Sequence, residues 1–187
     1  MNKSRKYNDA MKIPERIETE RLILRKPRMD DASVLFAAYM QDPEVTRYTT
    51  WRPHRQLQEA EDFIRNSIYA WEIGTRFPFV ITLKGMDEPF GMIDLHVRGC
   101  TVGLGYVIAR SHQGHGYATE ATRAIITWAL QQPTIYRVNA STDIENMASQ
   151  KVLEKVGMLR EGLLRKYIVH PNISDIPRDS YMYAITK

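Results

Sequence analysis

The chain is 187 residues long, 43% hydrophobic and 26% charged, with a net charge of +4 at pH 7. That length and apolar content suit one well-buried core and are short for two. A single cysteine, Cys100, excludes an intramolecular disulfide framework, and no apolar run reaches the roughly 20 residues that a bilayer-spanning helix needs.

A reducing, cytoplasmic setting is expected, because residues 1–13 are polar and carry no signal-peptide apolar stretch. The positive balance suits an anionic ligand. Basic residues occur as scattered pairs, and no RNP, zinc-finger or zipper pattern appears, so neither membrane nor direct nucleic-acid binding is expected.

Residues 1–15, polar with Pro14 near their end, are expected to form a loosely held extension before one domain over residues 16–187. Residues 18–26 alternate, with Leu22 and Leu24 on one face and Arg21, Ile23 and Arg25 on the other, which predicts a strand ended by Pro27. Asp30 and Asp31 stand where the positive end of a helix favours acids. Ala32, Leu35, Phe36 and Tyr39 follow at helical spacing until Asp42-Pro43 stops the helix. Residues 46–53 form a loop carrying Tyr48 and Trp51. A second helix over residues 57–72 turns Ala60, Phe63, Ile64, Ile68 and Trp71 inward, and Gly74 closes it.

Three strands follow, over residues 76–83, 89–97 and 101–109, joined by glycine-containing turns that suit antiparallel hairpins. In the middle strand Asp94 and His96 share one face, opposite Ile93, Leu95 and Val97. Such a polar face meets either solvent or a substrate. Cys100, at the start of the third strand, reads as a small buried hydrophobe.

The third strand leads into Arg110-Ser111-His112-Gln113-Gly114-His115-Gly116 and then a helix with Ala118, Ala121, Ile125, Trp128 and Ala129 on one face. Two glycines let the backbone turn tightly, and a helix starting here aims unpaired N–H groups and its positive end into the loop. No Asp or Glu occurs from Leu95 to Thr119, and Glu120 is the first acid to follow. The combination suits phosphate. It is neither a P-loop, since Tyr117-Ala118 replace Lys-Ser/Thr, nor a dinucleotide fingerprint, since Thr119 takes the third glycine's place. A plain strand-to-helix turn accounts for the same glycines.

After Pro133, residues 136–142 predict a further strand, and Asn146 caps a helix through Val156 with Ala148, Val152, Leu153 and Val156 inward. Ser149 falls at the third helical position, where a capping role explains it without chemistry. Gly157 ends the helix. Residues 158–169 and 179–185 predict a final antiparallel pair joined by the turn 170–177.

The stretch around Gly114 and Gly116 resembles the coenzyme A-binding motif of the GNAT acetyltransferases, Gln/Arg-x-x-Gly-x-Gly/Ala. Ser111 departs from its first position, at a side-chain contact and not in the backbone cradle. The chain is similar above all to the ribosomal-protein N-terminal acetyltransferase branch. The similarity lies in Ile17-x-Thr19-Glu20-Arg21-Leu22-x-Leu24-Arg25, in Gly105-Tyr106, in Gln-Gly-x-Gly-Tyr-Ala-Thr-Glu-Ala over residues 113–121, and in Glu161-Gly162 with Arg165.

This resemblance implies an α/β (α+β) fold, a central mixed, mostly antiparallel sheet flanked by helices in the order βααβββαβαββ. It implies acetyl-CoA as co-substrate, and no metal. Main-chain groups of Gln113, Gly114, His115, Gly116, Tyr117, Ala118 and Thr119 would hold the pyrophosphate. Those of Tyr106, Val107 and Ile108, at a bulge that opens the sheet, would bind the pantetheine arm, and Asn146 would contact it too. Ser149 would serve the leaving thiolate; many relatives outside the branch use a tyrosine where Leu153 stands. Tyr48 and Trp51 fall in the acceptor wall, and Asp94, His96 and Glu161 are candidate bases. The implied reaction is acetyl transfer to an amine by direct attack on the thioester. A protein N-terminus suits a site without an obvious base, since an α-amino group is roughly 10% neutral at pH 7 and a lysine below about 0.1%. A small amine such as an antibiotic or polyamine, or a non-catalytic acetyl-CoA sensor, are the alternatives; monomer and homodimer both remain open.

Overall fold

The computed structural model describes residues 13–187. The extension expected over residues 1–15 therefore lies mostly outside the described residues. In chain order the elements are β1 (Arg16–Glu18), β2 (Leu22–Arg25), α1 (Asp31–Leu35) continuing as a π turn (Phe36–Met40), α2 (Leu57–Glu72), β3 (Phe77–Leu83), β4 (Gly91–Arg98) and β5 (Thr101–Ile108). A 3-10 turn (Arg110–His112), α3 (Tyr117–Gln131), β6 (Arg137–Asp143), α4 (Met147–Lys155), β7 (Leu159–Ile168) and β8 (Arg178–Thr186) complete them.

One eight-stranded sheet results, in the order β1-β2-β3-β4-β5-β6-β8-β7. Only β5 and β6 are parallel; the other neighbours are antiparallel. The mixed, mostly antiparallel sheet implied by the resemblance is thus present, with one strand added at the start. Residues 18–26 are not one strand, because Thr19 closes a tight turn. Its N–H donates to Leu22 O at 3.0 Å and its Oγ1 accepts from Leu22 N at 2.9 Å, so β1 folds back on β2.

The alternation in β2, β3 and β4 and the helical spacing in α2 and α3 bury one core. Leu22, Leu24, Phe79, Ile81, Ile93, Leu95, Ala60, Ile64, Ala121, Ile125 and Ala129 are fully buried. Each large aliphatic or aromatic side chain among them contributes about 1.5–3 kcal/mol. Trp71 closes the end of α2, its Nε1 donating to Pro78 O at 2.6 Å.

Three expectations are corrected. Asp31 does not simply face the helix dipole: it is buried, clamped by Arg25 Nη2 and Nη1 at 2.7 and 2.9 Å and by Arg28 N at 2.7 Å, and so ties α1 to β2. Cys100 is exposed, because β4 and β5 pair up to Arg98 and Thr101 and leave Gly99-Cys100 as the tip of the hairpin. Ala148 faces outward. Gln150 takes the buried place instead, its Nε2 donating to Ile144 O at 2.9 Å, which satisfies a carbonyl that precedes α4.

Candidate active site

The site is built on a fork in the sheet. β5 and β6 pair only over Thr101–Gly103 and Arg137–Asn139. Beyond that point β5 stays bonded to β4 as far as Ile108, and β6 stays bonded to β8 as far as Asp143. The two arms separate because each is held on its outer side. The inner edge of β5 after Gly103 is therefore left without a strand partner. The bulge expected near Tyr106, Val107 and Ile108 is absent, since β4 and β5 pair without a register shift from Thr101 to Ile108. The sheet opens instead because β5 and β6 part after Gly103. At the far end Gln113 Nε2 donates to Ile108 O at 3.0 Å, which fixes the following loop to the tip of β5.

That loop adopts the conformation its glycines allow. Gly114 and Gly116 have φ of +80° and +82°, a region that side chains strain to enter. A Cβ at Gly114 would meet nothing within 4 Å, so backbone conformation rather than crowding demands glycine there. Glu120 N bonds Gly116 O at 3.0 Å to close the first turn of α3, so the N–H groups of Tyr117, Ala118 and Thr119 point out of the helix.

The acid that follows is neutralised. Glu120 accepts from Thr19 Oγ1 at 2.6 Å, Arg21 N at 2.9 Å and Arg21 Nε at 2.7 Å, and these partners hold its carboxyl below the usual range against the opposing effect of burial. Arg21 also donates to His115 O at 3.1 Å and lies 4.7 Å over the Tyr117 ring. The side chain of His112 is turned aside, stacked on Phe90 at 4.1 Å. A cradle of outward N–H groups with no uncompensated acid fits a pyrophosphate.

A cavity of about 660 Å³ runs through the fork. Adjacent strand residues alternate faces, so Tyr106, opposite Ile93, and Gly105, opposite Asp94, project to opposite sides of the sheet. The cavity touches both: Tyr106, Asn146 and Ser149 line one end, and Asp94, His96, Tyr48 and Trp51 the other. Val107 also lines it, whereas Gln113 to Thr119 form the separate loop and helix start described above. Glu161 is corrected. It lies exposed on β7 outside the cavity, paired with Arg137, and faces no reacting group.

Tyr106 Oη sits 3.0 Å from Ser149 Oγ, and burial pushes its phenol up to about 12. Asp94 is raised to about 6, chiefly by burial, with Arg76 and the Leu95 N–H opposing the shift. Arg76 Nε and His96 Nε2 lie 3.2 and 3.6 Å from Asp94 Oδ2, while Oδ1 is buried without a partner. Burial, then Arg76 and Arg98, hold His96 below its ordinary range, so it is neutral near pH 7.

Sequence reasoning missed the opposite wall. His170, read as part of a turn, is buried in the cavity lining, and Asp143 lies beside it, bound by Arg178 at 2.6 and 3.2 Å. Asn172 Nδ2 donates to Thr46 O at 2.6 Å and Trp51 O at 2.9 Å, docking the segment after β7 on the aromatic loop. His170-Pro171-Asn172, two polar groups around a turn-fixing proline, was the only local signal.

A forked mixed sheet, an anion cradle at the helix after its fifth strand and a cavity passing through the fork define the class of acyl-CoA-dependent N-acyltransferases. The chain belongs to the GNAT acetyltransferase family: the model of the acetyltransferase (GNAT) domain matches residues 21–159. It is 34% identical over 178 residues to the N-acetyltransferase p20 of Bacillus licheniformis, covering 92% of this chain and 97% of that one. A GNAT acetyltransferase structure from Bacillus anthracis superposes with a TM-score of 0.79 at 29% identity, over 91% of this chain and 98% of that one. Mycobacterium smegmatis RimJ, solved with CoA-disulfide, gives 0.76 at 26% identity, over 88% and 81%. Among the described residues no helix is long and apolar enough to cross a membrane.

Proposed function

We propose that this acetyltransferase moves the acetyl group of acetyl-CoA to the N-terminal α-amino group of a protein. The observation that carries the reading is Asp94, a carboxylate in the acceptor end of the cavity with a pKa of about 6. Taking a proton from an α-ammonium of pKa about 8 is uphill by roughly 3 kcal/mol, and from a lysine of about 10.4 by roughly 6. The base present therefore suits the weaker amine. The similarity of residues 113–121 to the ribosomal-protein branch supports the same acceptor. No cluster of free carboxylates lines the cavity to attract a polyamine, since Asp94 has Arg76 and Asp143 has Arg178.

Acetyl-CoA supplies the activated acyl carbon. Main-chain N–H groups from Gly114 to Thr119 hold the pyrophosphate, and the free edge of β5 beyond Gly103, with Asn146 opposite, takes the pantetheine arm. Asp94 accepts the proton that the acceptor ammonium releases, with Arg76 Nε at 3.2 Å and His96 Nε2 at 3.6 Å from its carboxylate. Ser149 Oγ and Tyr106 Oη lie 3.0 Å apart with either hydroxyl able to donate, and Tyr106 Oη also reaches Ser149 O at 3.3 Å. The pair would thus offer the departing sulfur a hydroxyl hydrogen. Tyr48 and Trp51 wall the acceptor entrance.

The test is thiol release from acetyl-CoA with peptides bearing free N-termini, beside an N-blocked lysine peptide and polyamines. Release with free N-terminal peptides alone is expected. Release confined to lysine or small amines would overturn the acceptor assignment, and none with any amine would overturn the enzyme reading.

A further inference from the structure

Asp94, His96 and Arg98 alternate along β4 and so share one face of the sheet. Opposite them on β5 stand Gly105, Gly103 and Thr101, in a register without a bulge. A glycine inside a strand weakens it, and positive φ or crowding is what a fold ordinarily gains in return. Gly103 is crowded, since a Cβ there would lie 3.3 Å from Asn139 Oδ1. Gly105 has neither reason. Its backbone is ordinary strand, a Cβ would meet nothing within 4 Å, and the residue is exposed although β5 is an inner strand. The two glycines leave a strip of bare backbone beside the proposed base, and the cavity follows it from Asp94 out to Arg98 and Thr101. Bare backbone in an inner strand marks the close approach of another chain.

The outer end of the strip carries an uncompensated charge. Arg76, Arg137 and Arg178 each meet a carboxylate, of Asp94 at 3.2 Å, Glu161 at 2.7 Å and Asp143 at 2.6 Å. Among the described residues Arg98 meets none, and its own stretch of chain, Leu95 to Thr119, contains no acid. Arg98 is exposed and lines the cavity, and its charge is one of those that hold His96 below the ordinary range, after burial and Arg76. The guanidinium thus stays within electrostatic reach of the strip. The coenzyme does not claim it. Arg98 pairs with Thr101 at one end of β5, whereas the phosphate loop begins beyond Ile108 at the other, about 23 Å away at strand rise.

We propose that Arg98 pairs with a carboxylate of the acceptor, an Asp or Glu side chain at its third to fifth residue, while the residues before it run over Gly105 and Gly103. The inference rests on the N-terminal acceptor reading. Asp94 and Arg98 stand four strand residues apart, about 13 Å, and an extended acceptor covers that distance from its amine in the same number of residues. A planar guanidinium with several donors matches a carboxylate in charge and in geometry. A lysine or arginine of the acceptor at this place would meet like charge, because the carboxylate of Glu161 is already taken by Arg137. A neutral side chain would leave Arg98 to water.

The experiment measures kcat/KM for peptides with free N-termini that differ at one place, where Asp, Ala or Lys is set in turn along the residues behind the amine. The same scan is run on Arg98→Gln and, separately, Arg98→Glu. Asp is expected to exceed Ala by about fivefold at the third to fifth residue and Lys to fall below Ala, with both differences shrinking at high salt. Arg98→Gln should bring the ratio of Asp to Ala close to one, and Arg98→Glu should place Lys above Asp. A ratio within one enzyme preparation is insensitive to partial unfolding. A flat scan, a parent that favours Lys, or a preference for Asp that Arg98→Gln leaves intact would overturn the role of Arg98 alone. Turnover of none of the peptides, with or without turnover of polyamines, would instead remove the N-terminal reading, and the role of Arg98 with it.

Discussion

Ser149 carries its hydroxyl away from the helix cap beside it. Asn146 Oδ1 accepts from Ser149 N at 3.1 Å, whereas Ser149 Oγ is 3.0 Å from Tyr106 Oη. Capping thus belongs to Asn146, and the two functions that compete at Ser149 in the sequence are separated in space. Ser149→Ala is expected to lower kcat by about 10²-fold with unchanged melting temperature, while Asn146→Ala costs about 1 kcal/mol of stability. Steady-state kinetics and thermal unfolding on both variants check this. Asp94 gives a pH prediction. Its carboxyl is protonated below about 6, so kcat/KM is expected to rise with pH through that value and to lose this limb in Asp94→Asn. Because its pKa is raised on folding, the native state binds the proton more tightly than the unfolded chain. Its contribution to stability is full below the ordinary carboxyl pKa and is lost as pH rises to about 6. The melting temperature of Asp94→Asn should therefore gain on the parent between pH 4 and pH 7. A constant gap would argue against the raised pKa.

Two elements far apart in sequence meet at the coenzyme loop. The turn between β1 and β2 supplies Thr19 and Arg21, and the first turn of α3 supplies Glu120. The resemblance placed Thr19-Glu20-Arg21 and Gly-Tyr-Ala-Thr-Glu in one family, and the structure pairs the arginine with Glu120, an acid that on the proposed reading would otherwise repel the coenzyme's phosphate. Arg21→Ala is expected to weaken acetyl-CoA binding about tenfold by calorimetry, and Glu120→Gln less, since it removes the repelling charge itself. Equal affinities in Arg21→Ala and the parent would limit the arginine to holding the turn. Alternation alone read residues 18–26 as one strand because the register of a three-residue strand is set by the Thr19 turn, not by its own pattern.

At the scale of the whole molecule, the end of the cavity away from Tyr106 and Ser149 joins four segments distant in the chain. The aromatic loop with Tyr48 and Trp51, the β4 face with Asp94, the β6 arm with Asp143 and the segment with His170 all line it. Asn172 is the pin between the first and last of these, bonding Thr46 O and Trp51 O. Asn172→Ala is expected to raise KM for the acceptor severalfold and leave the dissociation constant of acetyl-CoA unchanged, because the coenzyme cradle shares no contact with that pin. A change in both would mean that the two walls are coupled through the sheet. What the sequence determined by itself was local: helical and strand periodicity, the two glycines that can hold φ near +80°, the asparagine cap of α4 and the family of the coenzyme loop. Those signals sit within a few residues of one another, where backbone sterics act. The tertiary structure alone decided the rest. It moved Glu161 out to Arg137, raised Asp94 by burying it beside Arg76, and placed His170 against Asp143, because burial and charge pairing depend on which strands become neighbours rather than on neighbours in the chain.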